Sequence, residues 1–246
     1  MDKRKLEQLL FYLIYIKAIS EVLKYSRNLT LEQLKLLNEI ITYNETHERG
    51  VYIEDLIKTM HMSKRNIRYN LEHLYHLKWI IKIRDDADQR RLLILPTDLY
   101  HKKLDILFIE VEEVINLKYF SANVKYLNSL KLSYIIIIYG ALNQVKQIAQ
   151  QFNLTLDELF VLGKLLYYHD TISLKSVCDF SHRCLIGIPN IINHLSQKGY
   201  IIKYRNNNDE RLVNIKIVES RVNKAENLFI QCYNKLQMEM KFNDLT

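Results

Sequence analysis

The chain has 246 residues, 48% of them hydrophobic and 26% charged, and a net charge of +7: enough apolar material for a real core, and a surface suited to a polyanion. Five glycines and two prolines favour helices over a turn-rich all-β architecture. Three cysteines, Cys178, Cys184 and Cys232, are an odd count without close ligand spacing, which argues against a disulfide framework or a zinc site and leaves them as core-filling residues.

From the N-terminus, an amphipathic helix is predicted over about Lys3 to Tyr25. Its apolar stretch is broken by Lys17 and Glu21 and no small-residue cleavage site follows, so it is not read as a targeting signal. Thr30-Leu-Glu-Gln33 is a capping box, and the helix it opens buries Leu34, Leu37 and Ile41 at helical spacing. A short helix over Ile53 to Met60 and a longer one over Ser63 to Leu77 come next. The period then switches: Ile80-Ile-Lys-Ile-Arg84 and Leu92-Leu-Ile-Leu95 flank the polar Asp85-Asp-Ala-Asp-Gln89, which predicts a hairpin with a solvated tip. Another long helix is expected from Thr97 to Leu117. The segment Lys125 to Gln151 contains Tyr134-Ile-Ile-Ile-Ile-Tyr139, a run with strand propensity and too short to span a bilayer. Its position ahead of a second capping box sets it as helix.

That second box, Thr155-Leu-Asp-Glu158, begins a repeat of the whole series. Asn28-Leu-Thr-Leu-Glu-Gln-Leu returns as Asn153-Leu-Thr-Leu-Asp-Glu-Leu, His73-Leu74 as His194-Leu195, Ile80-Ile-Lys-Ile-Arg84 as Ile201-Ile-Lys-Tyr-Arg205, and Asp88-Gln-Arg90 as Asp209-Glu-Arg211. The first match is four residues out of step with the others, which places a shorter connection in the second copy around His169-Asp170, against Asn44 to Gly50 in the first. Helices are predicted over Ser173 to Phe180, Cys184 to Gln197 and Val218 to Lys241, with Leu159, Leu162 and Leu166 buried after the cap. Helix, turn, helix, hairpin is the winged helix-turn-helix order. The fold class is therefore mainly α with small β-hairpins, two tandem winged helices joined by long packing helices. The copies are read as residues 1–124 and 125–246, the boundary falling near Phe120 to Val124.

The second helix of the first helix-turn-helix begins Ser63-Lys-Arg-Asn-Ile-Arg-Tyr-Asn70. Lys64, Arg65 and Arg68 occupy the turns that approach a major groove, where phosphate neutralisation supplies much of the affinity, and Asn66, Tyr69 and Asn70 can add polar or methyl contacts. In the wing, Arg84 ends the first strand and Asp88-Gln89-Arg90 lies at the tip. An aspartate two residues ahead can orient the Arg90 guanidinium for a narrow minor groove. The second copy repeats the wing as Arg205 with Asp209, Glu210 and Arg211. Its second helix has Leu185, Ile186 and Pro189 in place of Lys64, Arg65 and Arg68, with His182 and Arg183 nearby as partial substitutes. No phosphate loop, nucleophile elbow or metal motif supports catalysis, so neither enzyme chemistry nor a cofactor is expected.

The hairpins Lys82-Ile-Arg-Asp-Asp-Ala-Asp-Gln-Arg90 and Lys203-Tyr-Arg-Asn-Asn-Asn-Asp-Glu-Arg211, with the helices opened by the two capping boxes, resemble the staphylococcal accessory regulator (Sar) family, a branch of the multiple-antibiotic-resistance regulators. The resemblance runs over nearly the whole chain in two passes, as in a double-length member. It implies winged helices that bind AT-rich promoters and regulate virulence and exoprotein genes. It assigns the wing arginines to Arg84, Arg90, Arg205 and Arg211, and the wing carboxylates to Asp88, Asp209 and Glu210. Gln89 departs from the pattern, which has Glu there. Single-length members dimerise through terminal helices; the resemblance implies that one chain mimics that dimer internally. The expected partner is duplex DNA rather than a membrane, the expected compartment is the cytoplasm, and further self-association is left open. Two other readings stay open: a plasmid replication initiator with tandem winged helices, and an antagonist that binds another regulator.

Overall fold

A computed structural model describes residues 2–118, 132–168, 172–177, 187–205 and 213–243. Contacts gather these into two compact units, one of residues 19–113 and 132–136, the other of residues 2–18, 114–118 and the described residues from 137 onward. Helix α1 (Lys3–Val22) belongs to the second of these up to Ala18 and to the first beyond it. No helix among the described residues is long and apolar enough to cross a membrane.

In the first unit, α1 ends in a widened π turn, Leu23–Arg27, closed by Asn28 in the left-handed conformation. Helix α2 (Leu31–His47) starts at the predicted capping box: Thr30 Oγ1 accepts from the Gln33 amide at 3.2 Å, and Gln33 Oε1 accepts from the Thr30 amide at 3.0 Å. Strand β1 (Val51–Tyr52), α3 (Ile53–Met60), α4 (Lys64–His76), β2 (Ile80–Arg84), β3 (Leu92–Pro96) and α5 (Tyr100–Lys118) follow. The sheet order is β1-β3-β2, antiparallel throughout, with Ile80 opposite Pro96 and Arg84 opposite Leu92. Leu34, Leu37 and Ile41 are buried as expected, as are Leu56, Ile67, Leu71, Trp79, Ile94 and Leu107 of the same unit. The Arg27 guanidinium meets Glu110 of α5 through two nitrogens, at 3.1 and 2.5 Å.

The second unit repeats this series. Helix α6 (Leu132–Gln151) is a helix through its isoleucine run, which resolves the strand alternative; residues 125–131 of that prediction lie outside the described residues. Helix α7 (Leu156–Tyr168) opens at the second capping box, where the Thr155 amide donates to Glu158 at 2.8 Å and the Glu158 amide to Thr155 Oγ1 at 3.1 Å. Strand β4 (Ile172–Ser173), a helical stretch at 174–177, α8 (Ile188–Gln197), β5 (Ile201–Arg205), β6 (Val213–Ile217) and α9 (Glu219–Asn243) complete it. Its sheet has the order β4-β6-β5. The equivalence extends to backbone strain, since Asn28 and Asn153 precede their caps with φ of 51° and 57°, and Lys78 and Gly199 turn into their hairpins with φ of 57° and 70°.

Two differences from the sequence reading concern the DNA-reading parts. Each hairpin carries a third strand, β1 or β4, only two residues long and so without enough alternation to be seen as a pattern. The second reading helix was expected from about Cys184, but α8 starts at Ile188. Gly187 is its N-cap with φ of 78°, a left-handed conformation that a continuous helix cannot pass through. The proposed copy boundary at 120–124, and Cys178 and Cys184, lie outside the described residues.

Cys232 sits on α9 with none of its surface exposed, and burial pushes its thiol up to about 12. Since the thiolate is the reactive form, Cys232 should stay unmodified by a disulfide reagent such as DTNB at pH 8 until the protein is unfolded, as read by mass spectrometry of that peptide. Rapid native labelling at Cys232 would contradict this burial.

Candidate nucleic-acid interface

Helix α4 is held by its inner face. Ile67, Leu71 and Leu74 recur at helical spacing and are almost fully buried. That periodicity turns Lys64, Arg65, Asn66, Arg68 and Tyr69 outward, all exposed, with Tyr69 69% exposed. Ser63 caps the helix by accepting the Asn66 amide at 3.2 Å, so the basic first turn is ordered. At the other end, Lys103 Nζ donates to the carbonyls of Leu77 at 2.9 Å and Lys78 at 2.6 Å, a cation on the negative end of the helix. Asn70 was expected to face the groove as well. It instead accepts from Gln33 Nε2 at 3.2 Å, tying α4 to α2.

The wing is ordered by hydrogen bonds that run mostly to its backbone. Arg84 Nη1 donates to the Gln89 carbonyl at 2.5 Å, clipping the hairpin across its tip. Asp88 was expected to orient the Arg90 guanidinium; its Oδ1 accepts the Arg90 backbone amide at 3.0 Å, a short-range turn that leaves the Arg90 side chain exposed. The amide of Arg91 donates to the Asp88 carbonyl at 2.8 Å. Below the tip, the Tyr52 hydroxyl of β1 donates to Asp85 Oδ2, and the Arg91 guanidinium lies over the Tyr52 ring, 3.5 Å from its centroid.

The Tyr52 hydroxyl holds the Asp85 carboxyl below the usual carboxylate range, helped by the Ala87 amide, and Asp85 in turn raises the Tyr52 phenol. For a lowered carboxylate, the stabilisation is present above the unfolded value and disappears as pH falls through the lowered one. The wing base therefore keeps its charge state throughout the neutral range. Sequence reasoning missed Tyr52 and Arg91 because the partners stand far apart in the chain and β1 was not seen; the doubled arginine Arg90-Arg91 was the available signal.

A strand lysine links each wing to its reading helix. Lys82 Nζ donates to Glu72 of α4 at 2.5 Å beneath the Tyr75 ring, and at the same place in the second copy Lys203 donates to Asn193 of α8. The exposed residues of α8 are Pro189, Asn190, Asn193, His194 and Gln197, none with the fixed charge of the α4 face. Arg205 ends β5 and is exposed. Arg183, Asp209, Glu210 and Arg211 lie outside the described residues.

The family model for the transcriptional regulators SarA and Rot matches residues 143–228, from within α6 into α9 and so through the second helix-turn-helix and wing. SarU, an HTH-type transcriptional regulator of Staphylococcus aureus strain NCTC 8325, is 26% identical over 221 residues, 87% of this chain and 87% of its own. The chain is similar to the Sar family over these residues. SarX from the bovine S. aureus strain RF122 is 26% identical over 121 residues, its whole length but 48% of this chain, and that length equals the separation of His73 from His194. The similarity to SarU thus runs over most of both chains, whereas all of SarX matches about half of this one. Among solved structures, wild-type apo MarR from Escherichia coli overlaps 47% of the chain and 86% of its own at 16% identity and a TM-score of 0.40.

Proposed function

We propose that this chain, a DNA-binding transcriptional regulator, is of the Sar kind and acts in the cytoplasm on AT-rich promoters of virulence and exoprotein genes. Copy one, residues 1–124, is the principal reader: Lys64, Arg65, Asn66, Arg68 and Tyr69 enter the major groove, and Arg84 and Arg90 bring the wing to the minor groove. Copy two, residues 125–246, adds a wing through Arg205, Asp209, Glu210 and Arg211, so that a monomer serves as an internal pseudo-dimer. The observation that carries this reading is the α4 face, a capped and anchored helix whose outward residues are basic and exposed beside an ordered hairpin.

The test is binding to AT-rich duplex across a salt series. Arg90→Ala should weaken binding and reduce the salt slope by about one, the share of a single neutralised phosphate. Arg84→Ala should weaken it too, partly because Arg84 also clips the wing. A full-length footprint should cover two half-sites about one helical turn, roughly 34–36 Å, apart. Unchanged affinity and slope in Arg90→Ala would remove the wing from the interface. A second reading, that copy two meets another protein, is favoured by the exposed face of α8 without fixed charge; protection of one half-site only would support it.

A further inference from the structure

The arginines Arg90 and Arg91 are neighbours with opposite surroundings. Arg91 lies over the Tyr52 ring, whose hydroxyl is bound to Asp85, while the Arg90 side chain is exposed and its amide is fixed by Asp88. Asp85 also accepts the Ala87 amide at 3.0 Å, and its own amide donates to the Arg91 carbonyl at 3.1 Å. Asp85, Tyr52 and Arg91 therefore close a ring of contacts joining β1 to both sides of the hairpin just below its tip. Tyr52 is the only one of the three outside the hairpin, and it is half-buried on the edge strand.

The residues in the equivalent places of the second copy cannot repeat this. The strand pairing puts Tyr52 opposite Leu93 and Ser173 opposite Asn214, so Ser173 stands in the place of Tyr52. In the sequence, Asn206 and Leu212 stand in the places of Asp85 and Arg91. A duplicated hairpin needs no such ring to form its strands, since β5 and β6 pair in the same register without it. The ring is an addition to the first wing, and what it fixes is the segment from Asp85 to Arg91 that carries Arg90.

We propose that Tyr52 is a positioning residue for DNA recognition: it anchors Asp85 and Arg91 at the base of the first wing so that Arg90 is presented to the minor groove in one orientation. This rests on the promoter-binding reading above. Ordering the wing beforehand lowers the entropic cost of binding, so the effect belongs to affinity through Arg90 and not to the number of phosphates neutralised.

The experiment compares Tyr52→Phe, which keeps the stacking surface and removes the hydroxyl, with Tyr52→Ser, the residue of the second copy, on AT-rich duplex across a salt series. Tyr52→Phe should weaken binding about threefold and Tyr52→Ser about tenfold, the effects expected of removing one hydrogen bond and of removing that bond with the cation–π pair. In both the salt slope should stay at the wild-type value, whereas Arg90→Ala lowers it. In an Arg90→Ala background, Tyr52→Ser should add less than about twofold, the coupling expected of residues acting through one another. Equal effects with and without Arg90, or full affinity in Tyr52→Ser, would overturn the positioning role. Thermal melting of each variant separates a wing effect from unfolding: a fall in affinity that tracks a lowered Tm would also count against it. If the wild-type chain itself fails to bind duplex, the promoter-binding reading has failed, a result distinguishable from failure of Tyr52 alone.

Discussion

Replacing Gly163 with valine should destabilise the unit that contains α7 by about 3 kcal/mol or more, the upper end of what overpacking a tight core costs. A Cβ at Gly163 would lie 2.8 Å from Leu10 Cδ2 on α1 and 2.8 Å from Cε1 and Cζ of Phe229 on α9. Leu10 is 2% exposed and Phe229 fully buried, so neither can swing into solvent. Alanine should be milder, because the clash is offset by about 1 kcal/mol of helix propensity. Gly140 on α6 is the control: a Cβ there meets nothing within 4 Å, and Gly140→Ala should stabilise by up to about 1 kcal/mol. Chemical denaturation of the variants reads the difference. An unchanged midpoint in Gly163→Val would mean that three helices do not meet at this glycine.

Lys198→Leu is expected to cost about 2–4 kcal/mol, somewhat below the figure for a fully buried pair because Lys198 is 24% exposed. Lys198 Nζ donates to both oxygens of Glu158, at 2.7 and 2.8 Å, and Glu158 is 2% exposed. Removing the lysine leaves an almost buried carboxylate with its capping amide and the distant His194 ring nitrogen at 3.8 Å. The first copy solves the same position with neutral chemistry: Gln33 makes the cap, and Leu77 stands where Lys198 does. The double variant Glu158→Gln, Lys198→Leu should therefore recover most of the stability. Recovery stops short of complete because Ile191 replaces Asn70, the side-chain partner of Gln33. Denaturation midpoints that simply add across the two substitutions would show that the pair is not coupled.

These two sites mark what the amino-acid sequence reveals and what it conceals. The capping boxes, the buried leucines of α2 and α7 and both hairpins were legible, because each depends on residues a few positions apart and appears twice. The basic face of α4 was legible because its residues stand a few positions apart, although the second copy does not repeat it. Asn70 was misread because its role is set by Gln33 on another helix, and the orientation of Asp88 was misread because a nearby amide competes with the guanidinium. The start of α8 was misplaced because helical spacing does not register a single left-handed glycine. Glu158 was legible as a cap but not as half of an ion pair, since Lys198 belongs to a turn 40 residues away. Tyr52 could not be connected to Asp85 without the edge strand between them.

The packing of α1 has a consequence for how the chain reaches its native state. Glu7 accepts from the Tyr167 hydroxyl at 2.6 Å, and Gln8 from the Tyr233 hydroxyl at 3.0 Å, contacts between residues 160 and 225 positions apart. Helix α1, made before α7 and α9, thus finds these partners only after both have been translated. Such non-local contacts impose a late, slow step, with Leu9, Leu10 and Ile14 exposed to aggregation or chaperone capture in the interval. Separate expression of the halves on either side of residue 124 would withhold those partners permanently, so the internal repeat here comes with a helix, α1, that must fold together with α7 and α9.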